Sequence, residues 1–160
     1  MRIKEFLVKP GALNEALALL PDRMTSDAAR VMLLAIGLQE GRLIHRRQIG
    51  GPARGLLQFE RGGGVVGVLR HASSRDHAIA LCHERGIGPN APEVYERLEH
   101  DDVLAFGFGR LLLWTDPKPL PAIGDVQGAW DLYIRTWRPG KPHRHTWDAL
   151  YAQAVDAVQS

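Results

Sequence analysis

An apolar run that ends in one carboxylate sets the first limit on how this chain folds. After Ser26, the residues Ala28, Val31, Leu34, Ala35 and Leu38 recur at i, i+3, i+4 and i+7 spacing. That period predicts a helix with one face in the core. Ser26 is placed to cap it, with Asp27 in its first turn, where a side-chain oxygen and a negative charge suit the free N–H groups. Glu40 then falls in the last turn. The segment 41–55, GRLIHRRQIGGPARG, has no period and holds Gly50, Gly51, Pro52 and Gly55, so it reads as a loop or short hairpin. LLQFE at 56–60 reads as a short strand, and the three glycines at 62–64 as a breaker.

The remaining chain repeats the helical pattern. The helix at Ser26 follows a short amphipathic one at 11–20, stopped by Pro21, and further helices are predicted near 64–70, 75–85, 92–98, 101–115, 124–137 and 146–158. Thr146 is the expected cap of the last, and Pro117, Pro119 and Pro121 mark a rigid connector. Arg138-Pro139-Gly140-Lys141-Pro142 ends the helix that carries Trp130 and Tyr133. With no internal repeat or linker, residues 1–160 are expected to form a single domain, mainly α with one small β hairpin. A hydrophobic content of 45% and a charged content of 24% suit a chain that buries a real core.

Composition also excludes classes. No run approaches the ~18 apolar residues of a membrane span, so no membrane span is expected. Lys4, Glu5, Lys9 and Glu15 interrupt the N-terminal stretch, which is unlike a secretory signal, and synthesis in the cytoplasm is expected. The one cysteine, Cys82, forbids an internal disulfide or a cysteine-rich zinc site. The formal charge is only +2, yet Arg42, Arg46, Arg47 and Arg54 cluster in the glycine-rich loop. Such a cluster is either a solvated loop or an attractor of a polyanion. Nucleic acid is the weaker polyanion, because no long basic stripe or recognisable binding motif accompanies the cluster.

A carboxylate beside an apolar face and at a helix C-terminus loses hydration and meets the negative end of the dipole. Both effects raise its pKa, and a raised pKa lets Glu40 donate a proton near neutral pH. The spacing around it resembles the signature of the lytic transglycosylases and goose-type lysozymes of the lysozyme-like superfamily. In that family a catalytic Glu at a helix end is followed by an irregular loop and Gly-Leu-Met-Gln; here Gly55-Leu56-Leu57-Gln58 begins fifteen positions after Glu40, with Ala53 also matching. The chain departs from the family in having Gly41 for a Ser, Leu43 for an aromatic, Ile49 for a loop Ser and Pro52 for a Gly.

The resemblance implies an α+β lysozyme-like fold with a small hairpin beside the cleft, and a monomer that cleaves the peptidoglycan glycan strand without metal or cofactor. It implies Glu40 as general acid and base, and Gln58, Gly55 and a late Tyr, matched locally by Tyr133, as substrate-binding residues. A transglycosylase needs one carboxylate. A hydrolase uses a second, about 5 Å away for retention or about 6.5–9.5 Å away for inversion. Glu60 is the candidate, its alternative being a salt bridge to Arg61 or Arg54. Without a leader, a chain of this size resembles a bacteriophage or prophage product that reaches the cell wall through a lysis pore or in a virion. A lysozyme-like fold kept as a catalytically silent structural or binding module of a phage particle is the alternative from another class.

Other groups carry less. Trp130, Tyr133 and Trp137 at i, i+3 and i+7 form either one core stripe or a sugar-stacking surface, the core reading being favoured. His71, His77 and His83 are six apart and do not share a helix face, and no zinc-binding spacing exists. Asp101 and Asp102 suit a helix N-terminus. Cys82 and His83, adjacent on a helix, point about 100° apart and make no nucleophile pair.

Overall fold

A computed structural model describes residues 3–7 and 11–160 of the chain; Lys9 of the N-terminal stretch lies outside the described residues. The periodic segments form eight α-helices there: α1 (Ala12–Ala18), α2 (Asp27–Gly41), α3 (Val66–Arg70), α4 (Arg75–Glu84), α5 (Ala91–Leu98), α6 (Asp102–Trp114), α7 (Val126–Trp137) and α8 (Arg144–Gln159). No helix among them is long and apolar enough to cross a membrane.

Start signals act as the local chemistry dictates. Ser26 is extended and its Oγ accepts from the Ala29 N–H at 3.0 Å. Asn90, Asp101 and Asp125 cap α5, α6 and α7 in the same way. Each such cap contributes about 1 kcal/mol by satisfying an otherwise free donor. Thr146 departs from expectation. It lies inside the first turn of α8, which begins earlier, and its hydroxyl donates to the His143 carbonyl at 2.9 Å.

The core forms around α6, which is buried on every side from Val103 to Leu113 and packs against α1, α2, α3, α4, α5 and α7. A helix apolar all round has to be a central one. Helix α2 is a second interior element, lying against both α6 and α8. Its Met32, Leu33 and Ile36 are buried along with Val31, Leu34, Ala35 and Leu38 of the predicted stripe, so from Val31 to Leu38 it is buried all round rather than on one face, while Ala28 is only partly covered. Arg110 is the exception inside α6. Only 4% exposed, it donates from Nε to the Met24 carbonyl at 2.7 Å and lies over the Trp114 ring, while burial pulls its guanidinium down to about 10.

No β hairpin forms among the described residues. The segment 41–60 is instead tied by isolated bridges of Arg47 with Arg54 and of Arg54 with Phe59. LLQFE is a turn and not a strand. Gly55 and Gln58 take φ of 79° and 54°, which breaks an extended run, and the Gln58 N–H bonds the Gly55 carbonyl at 3.0 Å. Leu56 and Leu57 are thereby both driven into the core instead of alternating between faces. The glycines at 62–64 continue the departure: Arg61–Val65 is a π-helical turn leading into α3.

The basic loop is largely exposed, yet ion pairs pin it to the junction of α5 and α6. Arg46 forks onto both oxygens of Asp102 and also donates to the Glu99 carbonyl at 3.2 Å. Arg47 donates to the Glu99 carboxylate at 2.9 Å, Arg54 stands 3.9 Å from the same group, and Arg54 lies over the Tyr95 ring. Three of the four loop arginines are thus paired within the chain, sharing the two carboxylates of Asp102 and Glu99.

Gly55 fixes where this loop meets α5. Besides its positive φ, a Cβ on it would stand 2.5 Å from the Leu98 backbone carbonyl oxygen. Gly55→Ala is expected to destabilise the protein by about 2–4 kcal/mol, from the left-handed penalty plus the steric overlap. Urea unfolding of the variant measures it.

Candidate functional site

Helix α2 delivers Glu40 to its place through its C-terminus. Arg42 takes the left-handed conformation after the last turn, with its N–H on Leu38 O at 3.0 Å and the Leu43 N–H on Gly37 O at 3.1 Å. Two successive left-handed residues, Arg42 at φ 60° and Leu43 at φ 57°, close the helix and turn Leu43 back onto it. Gly37 makes the fold-back possible, since a Cβ there would meet Leu43 Cδ2 at 2.2 Å. Glu40 is left half-buried at the rim, with Gly41 beneath it.

Helix α7 supplies the group opposite. The Tyr133 hydroxyl donates to Glu40 Oε2. The ring is held by aromatic neighbours: it stacks on Trp147 at 5.4 Å and 5°, and tilts against Trp130 at 5.4 Å and Trp137 at 6.4 Å. Trp130 and Tyr133 are therefore core, packed with the buried Trp147, while Trp137, the third residue of the expected core stripe, is not fully buried and the Tyr133 hydroxyl reaches the rim. Trp137 is half-buried and anchored, its indole N–H donating to the Leu57 carbonyl at 2.9 Å.

Glu40 and Tyr133 line a cavity of about 640 Å³ that Gln58, Glu60, Trp137 and Lys141 also border. A second cavity of about 590 Å³ adjoins it, lined by Gly62, Gly63, Gly64, His71 and Asp116. Gln58, Glu60, Trp137 and Arg138 belong to both, so the two form one groove with those residues at its waist. Among the described residues, four without a glycine's freedom have positive φ: Arg42, Leu43, Gln58 and Arg138, at 60°, 57°, 54° and 48°. Two follow Glu40 in the chain and two line the waist. Each costs of order 1–3 kcal/mol, and such strain concentrates where a surface is shaped for a ligand.

Burial dominates the electrostatics. It raises the Glu40 carboxyl from 4.5 to about 6, the Tyr133 hydroxyl opposes this by bonding the anion, and the negative charge of Glu60 adds to it. Burial and the neighbouring Glu40 charge push the Tyr133 phenol far upward, so it stays a neutral donor at every working pH. Glu60 is exposed and makes no ion pair among the described residues. The bridges to Arg61 or Arg54 considered from sequence do not form; Arg54 is engaged with Glu99.

The other expected positions divide. Gln58 lies at the waist, its Nε2 donating to the carbonyls of Gly55 at 2.8 Å and His45 at 3.2 Å, so its amide nitrogen fixes the loop while the side chain borders both cavities. Gly55 does not line the groove. It is buried against Leu98, and its role is to shape the turn rather than to touch a ligand. Asp101 caps α6 and accepts both bonds of an Arg85 fork at 3.0 Å, a structural role. Cys82 is buried and its thiol pushed up to about 11, which makes it unreactive. No three His, Cys, Asp or Glu side chains converge as metal ligands among the described residues.

Sequence reasoning overlooked Gln39, Arg138, Lys141 and His143, which border the Glu40 cavity. Arg-Pro-Gly-Lys-Pro was read only as a helix terminator, although its two cations were visible. No protein-family model, curated protein or solved structure matches this chain.

The raised pKa has a measurable cost. Between pH 4.5 and about 6 the native protein binds more protons at Glu40 than the unfolded chain does, so stability falls as pH rises through that window. Glu40→Gln removes the cost, and is expected to be about 1–2 kcal/mol more stable than wild type at pH 7. The difference should vanish below about pH 4.5, as followed by thermal unfolding across pH.

Proposed function

We propose that this chain is a glycosidase that cleaves the peptidoglycan glycan strand, with Glu40 as general acid and then base. The observation that carries the reading is the Glu40–Tyr133 pair at the wall of the groove, with a carboxyl near pKa 6. The match of Glu40 with Gly55-Leu56-Leu57-Gln58 to the lytic transglycosylase and goose-type lysozyme pattern supports the same conclusion.

In this reading Glu40, protonated at mildly acidic pH, gives its proton to the oxygen of the bond between N-acetylmuramic acid and N-acetylglucosamine. The C1–O bond breaks, the sugar ring carries the positive charge, and Glu40 is left as carboxylate. Tyr133 holds that carboxylate by donating to it, which fixes its direction for the second step. The carboxylate then takes a proton from the nucleophile that closes on C1. If the nucleophile is the muramoyl C6 hydroxyl the product is an anhydro-sugar; if it is water the product is a reducing end. Glu60, at the waist, bears on the choice as base or electrostatic partner in the hydrolytic path. Trp137 offers a ring edge along both cavities. Delivery to the wall by a phage lysis pore or particle belongs to the same proposal.

Mass analysis of products from purified peptidoglycan tests it. Wild type is expected to release muropeptides, and Glu40→Gln to lose at least about 10²-fold in rate, the usual contribution of a general acid. Anhydromuramic ends identify a transglycosylase and reducing ends a hydrolase. Folded wild type that releases nothing from walls of several species would leave the silent-module reading in its place.

The pH profile supplies a separate check. Activity needs protonated Glu40, so the rate should fall as pH rises above about 6. Tyr133→Phe removes a bond that favours the anion, so that alkaline limb should move to higher pH while the rate drops roughly 10- to 100-fold. A limb that stays put, measured on defined glycan strands, would remove Tyr133 from the mechanism.

A further inference from the structure

We propose that the turn after α7 recognises a carboxylate on the glycan beside the bond that is cut, through Arg138 and Lys141. The inference rests on the glycosidase reading and adds the chemistry that selects the substrate.

Arg138 stands at the waist of the groove and Lys141 on its Glu40 side. Both are exposed, and neither forms an ion pair among the described residues. Their neighbours behave differently. Arg46 and Arg47 are taken by Asp102 and Glu99, and Arg144 by Asp148 at 2.7 Å. In the adjoining cavity Arg135 forks onto Asp116 at 2.9 and 3.3 Å. Among the cations that line the groove, Arg138 and Lys141 thus stay unpaired among the described residues, and both border the cavity that holds Glu40.

The backbone presents them there. Arg138 occupies the left-handed position that ends α7, at φ 48° and ψ 54°, where a glycine would be relaxed. Its only hydrogen bond among the described residues is a long one, from Nε to the Arg135 carbonyl at 3.4 Å, which leaves both terminal nitrogens available. Pro139 and Pro142 flank Lys141 and stiffen the turn.

Electrostatics supplies the reason. Glu40 and Glu60 together make the groove repel an anionic strand. Arg138 and Lys141 offset that charge where the sugar nearest Glu40 would lie. The muramoyl residue carries a lactyl ether that ends in a carboxylate, either free or amide-linked to a peptide with carboxylates of its own. N-acetylglucosamine carries none. Unpaired cations beside Glu40 thus favour a muramoyl residue there over an uncharged polymer of N-acetylglucosamine.

The test compares three strands: peptide-bearing glycan, glycan stripped of peptide with its lactyl carboxylates free, and uncharged chitin oligomers. The KM of wild type should be lower for a carboxylate-bearing strand than for chitin, with preference for the stripped strand assigning the charge to the lactyl group and preference for the peptide-bearing one to the stem. Arg138→Gln with Lys141→Gln should raise the KM for that strand about three- to twentyfold, as expected for two solvent-facing ionic contacts. Arg138→Lys with Lys141→Arg should restore it, which a purely structural role would not. Salt at about 0.5 M should shrink the preference. Equal KM for all strands in wild type, or an unaltered preference in the double glutamine variant, overturns the inference while leaving the glycosidase reading intact. Cleavage of none of the three overturns that reading, and this inference with it.

Discussion

Three carboxylates at the junction of α5 and α6, Glu99, Asp101 and Asp102, hold the core and the groove together. Asp101 has a side chain only 5% exposed, yet it caps the central helix and accepts the Arg85 fork, with Arg97 at 3.8 Å. A carboxylate so buried persists only when its lone pairs are taken; losing one partner of such a pair costs about 3–5 kcal/mol. Its neighbours face the other way. Glu99 and Asp102 take Arg46 and Arg47 and thereby clamp the glycine-rich loop against the bundle. Helix α6 can be apolar on every side because its one polar end is satisfied here. The loop can face Glu40 because its charge is anchored at the same place.

The site is built against the interest of stability. Glu40 is drawn from water at the end of a buried helix, and its partner Tyr133 is locked by stacking on Trp147 and by tilted contacts with Trp130 and Trp137. Of the four left-handed residues without glycine's freedom, Gln58 and Arg138 line the same groove. A chain selected for stability alone would have relaxed these features with glutamine or glycine.

Charge within the groove is arranged as sharply as shape. Where the loop arginines first look like a patch for polyanions, the fold draws Arg46, Arg47 and Arg54 into ion pairs, while Arg138 and Lys141 in the turn after α7 stay unpaired among the described residues. The cavity that holds Glu40 and Glu60 is bordered by those two cations as well. A strand passing there would encounter an acid at the reacting bond and a cation for a substituent, with backbone glycines at 62–64 allowing close approach on the far side.

The sequence by itself determined the helices, the caps at Ser26 and Asp101 though not one at Thr146, and the place of Glu40 at the end of α2. Apolar period and capping chemistry act within a few residues, so Ser26, Asp101 and the end of α2 at Glu40 were legible without the fold. Tyr133 was legible only as a weak local match, because its meeting with Glu40 spans α2 and α7. Tertiary structure alone decided that LLQFE turns instead of extending, since Gly55 is set by the approach of Leu98 and Leu57 by the demand of the core. It also decided which arginines are spent and which stay free. Ion pairing depends on carboxylates about fifty positions away in the chain, as with Arg46 and Asp102, and no local pattern encodes a distance that only packing creates.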